Sequence, residues 1–520
     1  MVMFSALRFL RRFCSFLLLS YFVTFSAISL ATPTQSNTLS ISNAFEFNSI
    51  DPSKYGHVYT RMQILETLLN VDEKGNLVAA LAKSWQVMDE AKRWRLTLRE
   101  DVRFHDGALM DAQAVVNSLN IAREKHGVLR KAPVKSIQVI DTNTVEITLT
   151  RPYVILGAVL AHYSTGILEP GSYNQEGEVI VLSGTGPYQL YQYAPPHKLV
   201  VKKFDNYWGK KASIPYASYL TGHRAESRTM QARSGQADIV FGLNPASLPL
   251  LKRLPTLTVH SNPIPRTIAL KLNSTHEFLK EIEARQALSL AINRSGIAKG
   301  VLRIPGAQAE QLLPASMADW YLTDVSESAD SLAQAEKLLA SIGWKKNAQG
   351  TLEREGKAFE LTLITYADRP ELTVVATALQ DQWKALGVKL TINITNSSAI
   401  PAGHHDGSLE VALMARNYGF IANPLGVILS DFNQSGGGDW GAMNWHNDDM
   451  QGLLNKLEQT TDTQAFHRLS QQVARLIYQE RPMIPVSYYV QQTAVNKRVK
   501  GFRFDPFERS FFLNEMEFVK

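Results

Sequence analysis

The side chains best able to do chemistry in this chain are few and scattered. His404-His405-Asp406-Gly407 is the densest run of potential metal ligands. Adjacent histidines on a turn point in different directions and chelate poorly by themselves, so a solvated loop is the plainer reading. His446, within Asn444-Trp445-His446-Asn447-Asp448-Asp449, has no second ligand at helical spacing, and its acidic neighbours suit a turn or a helix cap. The run Gly436-Gly437-Gly438 leads into Asp439-Trp440 instead of opening a helix, and no Lys-Ser/Thr follows it. It reads as a flexible loop and not as a phosphate cradle. No GxSxG, HExxH, Walker A or strand-linked GxGxxG pattern occurs, and nothing marks Asp448-Asp449 as an acid/base pair. The single cysteine, Cys14, excludes a disulfide, a CxxC pair and a cysteine-ligated zinc within one chain. The chain therefore reads as a binder: no catalytic residue, no metal set and no cofactor is expected.

The frame that must position any binding residues is globular. Of 520 residues, 45% are hydrophobic and 20% charged, with a mean hydropathy of -0.13. At about 100–200 residues per domain this predicts two to four folding units. Fifty-four basic against 48 acidic residues give +6, and Arg8, Arg11 and Arg12 supply three of those charges near the N-terminus. With no clustered basic stripe, a nucleic-acid partner is not expected. Those arginines precede an uncharged apolar run, Phe13 to Leu30, and the small residues Ser29-Leu30-Ala31. This is the three-part secretory pattern, with cleavage expected after Ala31 and the mature protein in the periplasm. A membrane anchor is the alternative, and Arg11-Arg12 hints at twin-arginine export.

Short alternating runs interleave with helical periodicities throughout, which predicts an α/β fold. Trp94 to Leu98, Val145 to Leu149, Leu199 to Lys203 and Ile484 to Val490 read as strands. A helix is expected after the N-cap Asp111, and others over Arg285 to Ala298, Ser331 to Ile342, Ala376 to Leu386 and Thr463 to Glu480. Phe359 to Ile364 and Val388 to Ile394 flank the fourth of these helices, predicting a βαβ unit with parallel pairing.

A series of blocks then gives the chain a likeness. Ala82-Lys83-Ser84-Trp85, Trp94-x-Leu-x-Leu-Arg99 and Val102-x-Phe104-x-Asp106-Gly107 come first. Gly184-Thr185-Gly186-Pro187-Tyr188, Asn206-Tyr207-Trp208-Gly209 and Leu272-Asn273 follow. Arg285-Gln286-Ala287-Leu288, Ala291-Ile292-Asn293-Arg294, Gly343-Trp344 and Arg481-Pro482-Met483-Ile484-Pro485 complete the order. Together they resemble the family 5 extracellular solute-binding proteins, the receptors of peptide and nickel ABC importers, over residues 38 to 510. Trp85, Trp94 and Trp208 within them are expected in the core.

The resemblance implies a two-lobed periplasmic binding protein of type II, in the large class with an inserted subdomain. Lobe I would comprise 36–265 and 487–520, with the inserted subdomain at about 77–178, and lobe II 266–486. The hinge crossings would lie near Pro263-Ile264-Pro265 and Pro485-Val486-Ser487, with Arg224, Arg228 and Arg266 close by. A monomer, a small-molecule ligand and an inner-membrane ABC permease as partner are implied.

The ligand is read from Met414 to Pro424 and from the segment after Asp51-Pro52. Peptide-holding members carry an acid four positions before the proline, where this chain has Phe420. A buried ammonium needs an anion, so ordinary peptide capture would require another carboxylate. Tyr418-Gly419 is similar to the nickel-type branch, although that branch's two arginines and histidine fall near Glu124, Gly166 and Ser435 here. Lys125, His126 or Arg130 could stand in for the first arginine. Tyr55, His57, Tyr59 and Arg61 occupy positions that face the cleft in family members, and Arg416, Asn417, Tyr418 and Phe420 complete the expected ligand contacts. Arg416 could hold a carboxylate two-pronged, or equally form a salt bridge inside lobe II. A metal chelate of the nickel type, or another anionic ligand, is the favoured cargo; an oligopeptide is the alternative.

Overall fold

The computed structural model describes residues 32–325, 331–432 and 437–519. The leader, with Cys14 and the Ala31 cleavage position, lies outside the described residues, as do Ser435 and Gly436. The chain divides into Met1–Thr38 and Leu39–Lys520. In the described part of the first unit, Asn37 closes a turn: its side chain accepts from Thr34 N at 2.7 Å and donates to Thr32 O at 3.0 Å. The second unit carries the fold. Among the described residues no helix is long and apolar enough to cross a membrane.

Fourteen strands position the elements discussed below. They are β1 (Thr38–Asn43), β2 (Ala82–Met88), β3 (Arg93–Leu98), β4 (Val134–Asp141) and β5 (Thr144–Leu149). Then come β6 (Tyr188–Ala194), β7 (Lys198–Lys203), β8 (Tyr216–Thr221), β9 (Ile239–Phe241) and β10 (Leu257–Leu272). The last are β11 (Glu360–Tyr366), β12 (Lys389–Thr395), β13 (Val411–Asn417) and β14 (Met483–Asn496). A ten-stranded sheet has the order β12-β11-β13-β10-β14-β9-β1-β8-β7-β6. A separate antiparallel sheet, β2-β3-β5-β4, carries the first blocks. Its strands β3 and β5 alternate partly and fully buried residues along their length, as their period-two sequences require.

Strands β11 and β12 pair in parallel from Glu360↔Lys389 to Tyr366↔Thr395, so the expected βαβ unit is present. Its helix begins at Pro370, six residues before the expected start at Ala376. Proline at the first position has no N–H to lose and has φ already set for a helix. The helices are α1 (Pro52–Arg61), α2 (Ala112–Glu124), α3 (Ile282–Leu290), α4 (Ser331–Ser341) and α5 (Pro370–Leu386). After them come α6 (Ala399–Asp406), α7 (Asp448–Leu457) and α8 (Thr463–Glu480). Asp111 caps α2 by accepting from Ala114 N at 2.8 Å. Trp344, Trp383 and Phe359 are 0–1% exposed and anchor the core beneath β11 and α5. Burying a large apolar side chain of this kind contributes about 1.5–3 kcal/mol.

Two local expectations differ from the structure. The helix expected over Arg285 to Ala298 is broken: α3 stops at Leu290, and the Asn293 side chain caps a new turn by accepting from Gly296 N at 2.8 Å. Arg294 is drawn inward to donate to Pro485 O at 2.9 Å, which a continuous helix would not allow. His404 and His405 lie in the last turn of α6 and not in a loop, although His405 is exposed as expected. His404 Nδ1 lies 2.8 Å from Lys271 Nζ, and His405 Nε2 is 2.9 Å from Asp439.

The blocks have structural reasons. Glu66 accepts from Thr185 Oγ1 at 2.8 Å, Tyr207 OH at 2.8 Å and Trp208 Nε1 at 3.0 Å, and the Arg99 guanidinium lies over the Trp208 ring. One buried carboxylate thus collects three of the motifs. Gly186 packs so close that a Cβ would meet Gln63 O at 2.0 Å. Arg285 Nε donates to Glu480 O at 2.9 Å, tying α3 to the chain just before β14. Pro263 and Pro485 both lie in the long β10–β14 pairing, whose register shifts between Pro263 and Thr267 and again between Ile268 and Ala269.

Candidate functional site

The site starts from the capping of α1. Asp51 accepts from Ser53 N at 2.9 Å and pairs with Lys125 Nζ at 2.6 Å. Burial alone would raise its carboxyl, but Lys125 and Ser53 bring it below the ordinary value. Tyr55 leaves the helical region (φ -128°, ψ 18°), kinking the helix. Gly56 then lets it approach the segment at 163, because a Cβ there would sit 2.8 Å from the Tyr163 ring.

That approach assembles an aromatic box. His57 lies edge-on to Tyr163 at 5.6 Å between ring centroids and to Phe45 at 6.4 Å. His162 and Tyr163 are 3.9 Å apart, and Phe420 reaches both, at 4.6 and 5.8 Å. Burial lowers both imidazoles to about 3, so both are neutral at pH 7. His162 Nδ1 accepts from Ser164 N at 3.2 Å, which puts the ring proton on Nε2. That Nε2 is buried and has no hydrogen-bond partner.

Beside the box lies a pocket open to solvent, lined from one side by Phe45, Arg61 and Phe241 and from the other by Arg369, Glu371 and Tyr489. Glu508 is its fixed anion. It accepts from Arg266 Nη2 and lies 3.7 Å from Arg61 Nη2, while its main-chain carbonyl accepts from Arg61 Nε at 2.5 Å. Burial alone would raise Glu508, but Arg266, Arg61 and Arg369 lower it from 4.5 to about 2. A carboxyl depressed on folding stabilises the fold fully above its unfolded value and loses that contribution as pH falls toward the folded one. Stability on the order of 3 kcal/mol should therefore be lost between pH 4.5 and 2. Denaturant melts across that range should fall less steeply for Glu508→Gln than for the unaltered protein. Equal slopes would refute this reading.

Arg369 is the group in the cavity with donors to spare. Its guanidinium lies 5.6 Å over the Phe45 ring and 5.4 Å over Tyr489, and its one hydrogen bond among the described residues goes to Tyr489 OH at 3.2 Å. Burial works against its charge, but Tyr489, Tyr366 and Glu371 more than restore it. Arg266 adds Nε and Nη1, both buried and without a partner. Such a set can hold a carboxylate by charge-assisted hydrogen bonds.

The structure distributes the expected contacts unevenly. Tyr55, His57 and Phe420 are in or beside the box, and Arg61 lines the cavity. Phe420 is 44% exposed, the only one of the eight that is an exposed large apolar side chain. Tyr59 lies in the core and donates its hydroxyl to Ser49 O. Asn417 Oδ1 accepts from Gly419 N at 2.9 Å, closing its own turn. Tyr418 is fully buried, with a hydroxyl that has no partner. Arg416 is bound two-pronged by Asp431, Nε to Oδ2 at 2.8 Å and Nη2 to Oδ1 at 2.5 Å, so its charge is balanced within the fold. Lys125 is engaged by Asp51.

Phe45, His162, Tyr163, Arg369, Tyr489 and Glu508 escaped the sequence reading. Arg369 carried a usable signal: it follows the carboxyl end of the parallel strand β11, where open α/β sheets place ligands. The others sit in turns or in the irregular C-terminal segment and carry no periodic mark. The metal-like clusters are otherwise engaged. His446 Nε2 lies 2.8 Å from Asp448, beside the Asn447 cap of α7. The Gly438 and Asp439 carbonyls accept from Lys271 Nζ at 2.8 and 2.9 Å, so that loop turns acceptors, not N–H donors, toward the interior. Among the described residues no three of His, Cys, Asp and Glu gather as they would to hold a metal ion.

Comparison with known proteins identifies the family and the fold. The family model of bacterial extracellular solute-binding proteins, family 5 Middle, matches residues 76–438. The nickel-binding protein NikA of Staphylococcus aureus is 25% identical over 472 residues, covering 90% of this chain and 91% of that one. The dipeptide-binding protein of Escherichia coli is 23% identical, covering 84% and 86%. Among solved structures, S. aureus NikA in complex with Ni(L-His)2 superposes with a TM-score of 0.80 at 22% identity, covering 93% of this chain and 100% of that one. The fold is that of the two-domain α/β periplasmic binding proteins.

Proposed function

The chain belongs to the family 5 bacterial extracellular solute-binding proteins, the binding components of ABC importers, and from that premise we propose that it captures a small carboxylate-bearing ligand, foremost a nickel-type metal chelate, by closing two lobes around it. The observation that carries this reading is Arg369, a charged fork at a cavity with one hydrogen bond of its own. The neutral imidazole of His57 supports the chelate form. Its unprotonated nitrogen can complete the coordination of a metal that arrives already held by its chelator. The metal is then cargo, and no resident ion is needed.

We assign 36–265 and 487–520 to lobe I, with the inserted subdomain at about 77–178, and 266–486 to lobe II. On that division Phe45, His57 and Arg61 face Arg369 and Phe420 across the cleft. Closure is driven by the contacts a ligand makes with both lobes that it cannot make in the open form. The Arg151–Glu458 pair, 2.7 Å apart, would add to the closed form. Residues 1–31 are assigned as the signal for export to the periplasm, where a monomer would deliver its cargo to an inner-membrane permease.

Titration calorimetry of protein freed of cargo tests the reading. A nickel–histidine mixture is expected to release or absorb heat with a saturable isotherm at micromolar concentration or below, on the order typical of small-ligand sites. A response to peptides alone would overturn the chelate form and favour the peptide alternative, which the dipeptide-binding relative keeps in view.

A further inference from the structure

The segment after β14 contains a turn closed on itself. Asp505 is 2% exposed, and its carboxylate accepts from Phe507 N at 2.9 Å, Arg509 N at 3.0 Å and Ser510 N at 3.2 Å. Its main-chain carbonyl accepts from Glu508 N at 2.9 Å. The closure puts Glu508 at φ 55°, in the left-handed region, where a residue other than glycine is strained. Contacts with two other parts of the chain hold it there. The Glu508 carboxylate accepts from Arg266, and its main-chain carbonyl from Arg61 Nε at 2.5 Å, while Phe511 N donates to Arg61 O at 3.0 Å.

Arg266 stands in the irregular stretch of β10, between Pro263 and Thr267, where the register against β14 shifts. That crossing does not satisfy its own polar groups. Arg266 Nε and Nη1, Asn262 Oδ1 and, on β14, Thr493 Oγ1 are buried without partners. Orphaned groups cost stability, so the crossing's own hydrogen bonds fix its angle weakly and a contact from outside weighs more. Phe507 supplies a second such contact. Its ring lies where a Cβ on Gly419, or one on Gly75, would meet it at 3.0 Å. Gly419 in turn presses on the crossing: a Cβ there would sit 2.5 Å from Pro265 Cγ, and Pro265 O accepts from Tyr418 N at 2.7 Å. The Arg509 guanidinium, 5.5 Å over the Phe507 ring and bound to Asp505 at 3.1 Å, backs the ring from its own turn.

We propose that residues 505–510 form a hinge clasp, in which Glu508 pins Arg266 and Phe507 is wedged between Gly75 and Gly419, and that this clasp sets the angle between the lobes. This rests on the lobe division given above, which puts Gly75 in lobe I and Gly419 in lobe II. Phe507 and Glu508 are then positioning residues. They act on capture through the angle at which the lobes present Arg61 and Arg369 to a cargo, by favouring one of the hinge's arrangements over the others. The strain at Glu508 fits such a role, since a left-handed residue persists only where its surroundings over-determine it.

Small-angle scattering of the purified, cargo-free protein reads the angle, and calorimetry with a nickel–histidine mixture reads its effect on capture. Phe507→Ala removes the wedge, and Phe507→Leu keeps most of its bulk. Gly419→Ala leaves the turn intact but drives a methyl group against Pro265, at a position whose φ is not left-handed. Phe507→Ala and Gly419→Ala are each expected to raise the radius of gyration of the cargo-free protein. Each should also weaken binding of the mixture about fivefold or more, the lower end of coupling between linked sites. Phe507→Leu should stay near the unaltered protein, and urea melts separate a lost fold from a changed angle. An unchanged radius of gyration in whichever alanine variant folds would overturn the clasp, even if its stability fell. A raised radius with no calorimetric response from any form, the unaltered protein included, would uphold the clasp and overturn the nickel-chelate reading instead.

Discussion

Replacing Arg369 with methionine should weaken capture of a carboxylate-bearing ligand by about 100-fold and leave the fold standing. The expected loss follows from what the residue does. A charge-assisted, two-pronged contact inside a closed cleft is worth about 2–5 kcal/mol when one partner is truncated, and 1.4 kcal/mol is a factor of ten. Its contribution to the unliganded fold is smaller. One 3.2 Å hydrogen bond to Tyr489, the ring faces of Phe45 and Tyr489 and the smallest of three arginine shares in neutralising Glu508 amount to about 1–2 kcal/mol. Methionine keeps much of the apolar packing against those rings. Arg369→Lys should fall between, since lysine keeps the charge but cannot present the fork. Calorimetry gives the affinity and a denaturant melt the stability. An affinity within threefold of the unaltered protein would mean that the ligand's anion is held elsewhere.

The second large effect concerns stability. Asp431→Asn should cost about 3–5 kcal/mol, because it leaves the Arg416 guanidinium buried without its counter-charge. Asp431 is 1% exposed, and burial works against Arg416's charge until Asp431 restores it. The loss should appear as a lower midpoint in urea with the slope unchanged. The double change Arg416→Met with Asp431→Leu should recover most of it, since apolar residues of similar size need no partner. If Asp431→Asn left the midpoint where it was, the pair would not be a structural one, and Arg416 would return as a ligand contact. The two predictions separate the arginines: one should move affinity with little change in stability, the other stability first.

Those two arginines also show how far sequence reasoning reaches into a site. Both follow or end strands of the large sheet, and both could hold a carboxylate two-pronged. Arg416 lies in the segment that the family resemblance singles out, yet Asp431, fifteen residues on, turns its charge inward. Nothing local distinguishes that from a free guanidinium, because the pairing depends on where the helix at Pro424–Phe432 packs. Phe420, His57 and Arg61 were reachable because the segments that carry them were recognisable as cleft-facing. His162 and Tyr163 were not: they lie in a short turn, and only the approach of α1 at Gly56 gives them a role.

From the sequence alone came the elements and their class. Alternation marked β3, β5 and β11, Asp111 marked the start of α2, and the ordered blocks marked a two-lobed α/β receptor. Each of these is decided by contacts within a few residues, or by motifs that must recur together. The tertiary structure alone decided which charges remain unanswered. Glu508, Arg266 and Arg61 neutralise one another across the chain, and Arg416 closes on Asp431. That leaves Arg369 at the wall of a pocket with one hydrogen bond among the described residues, a matter of distance in a low-dielectric interior that residue order does not encode.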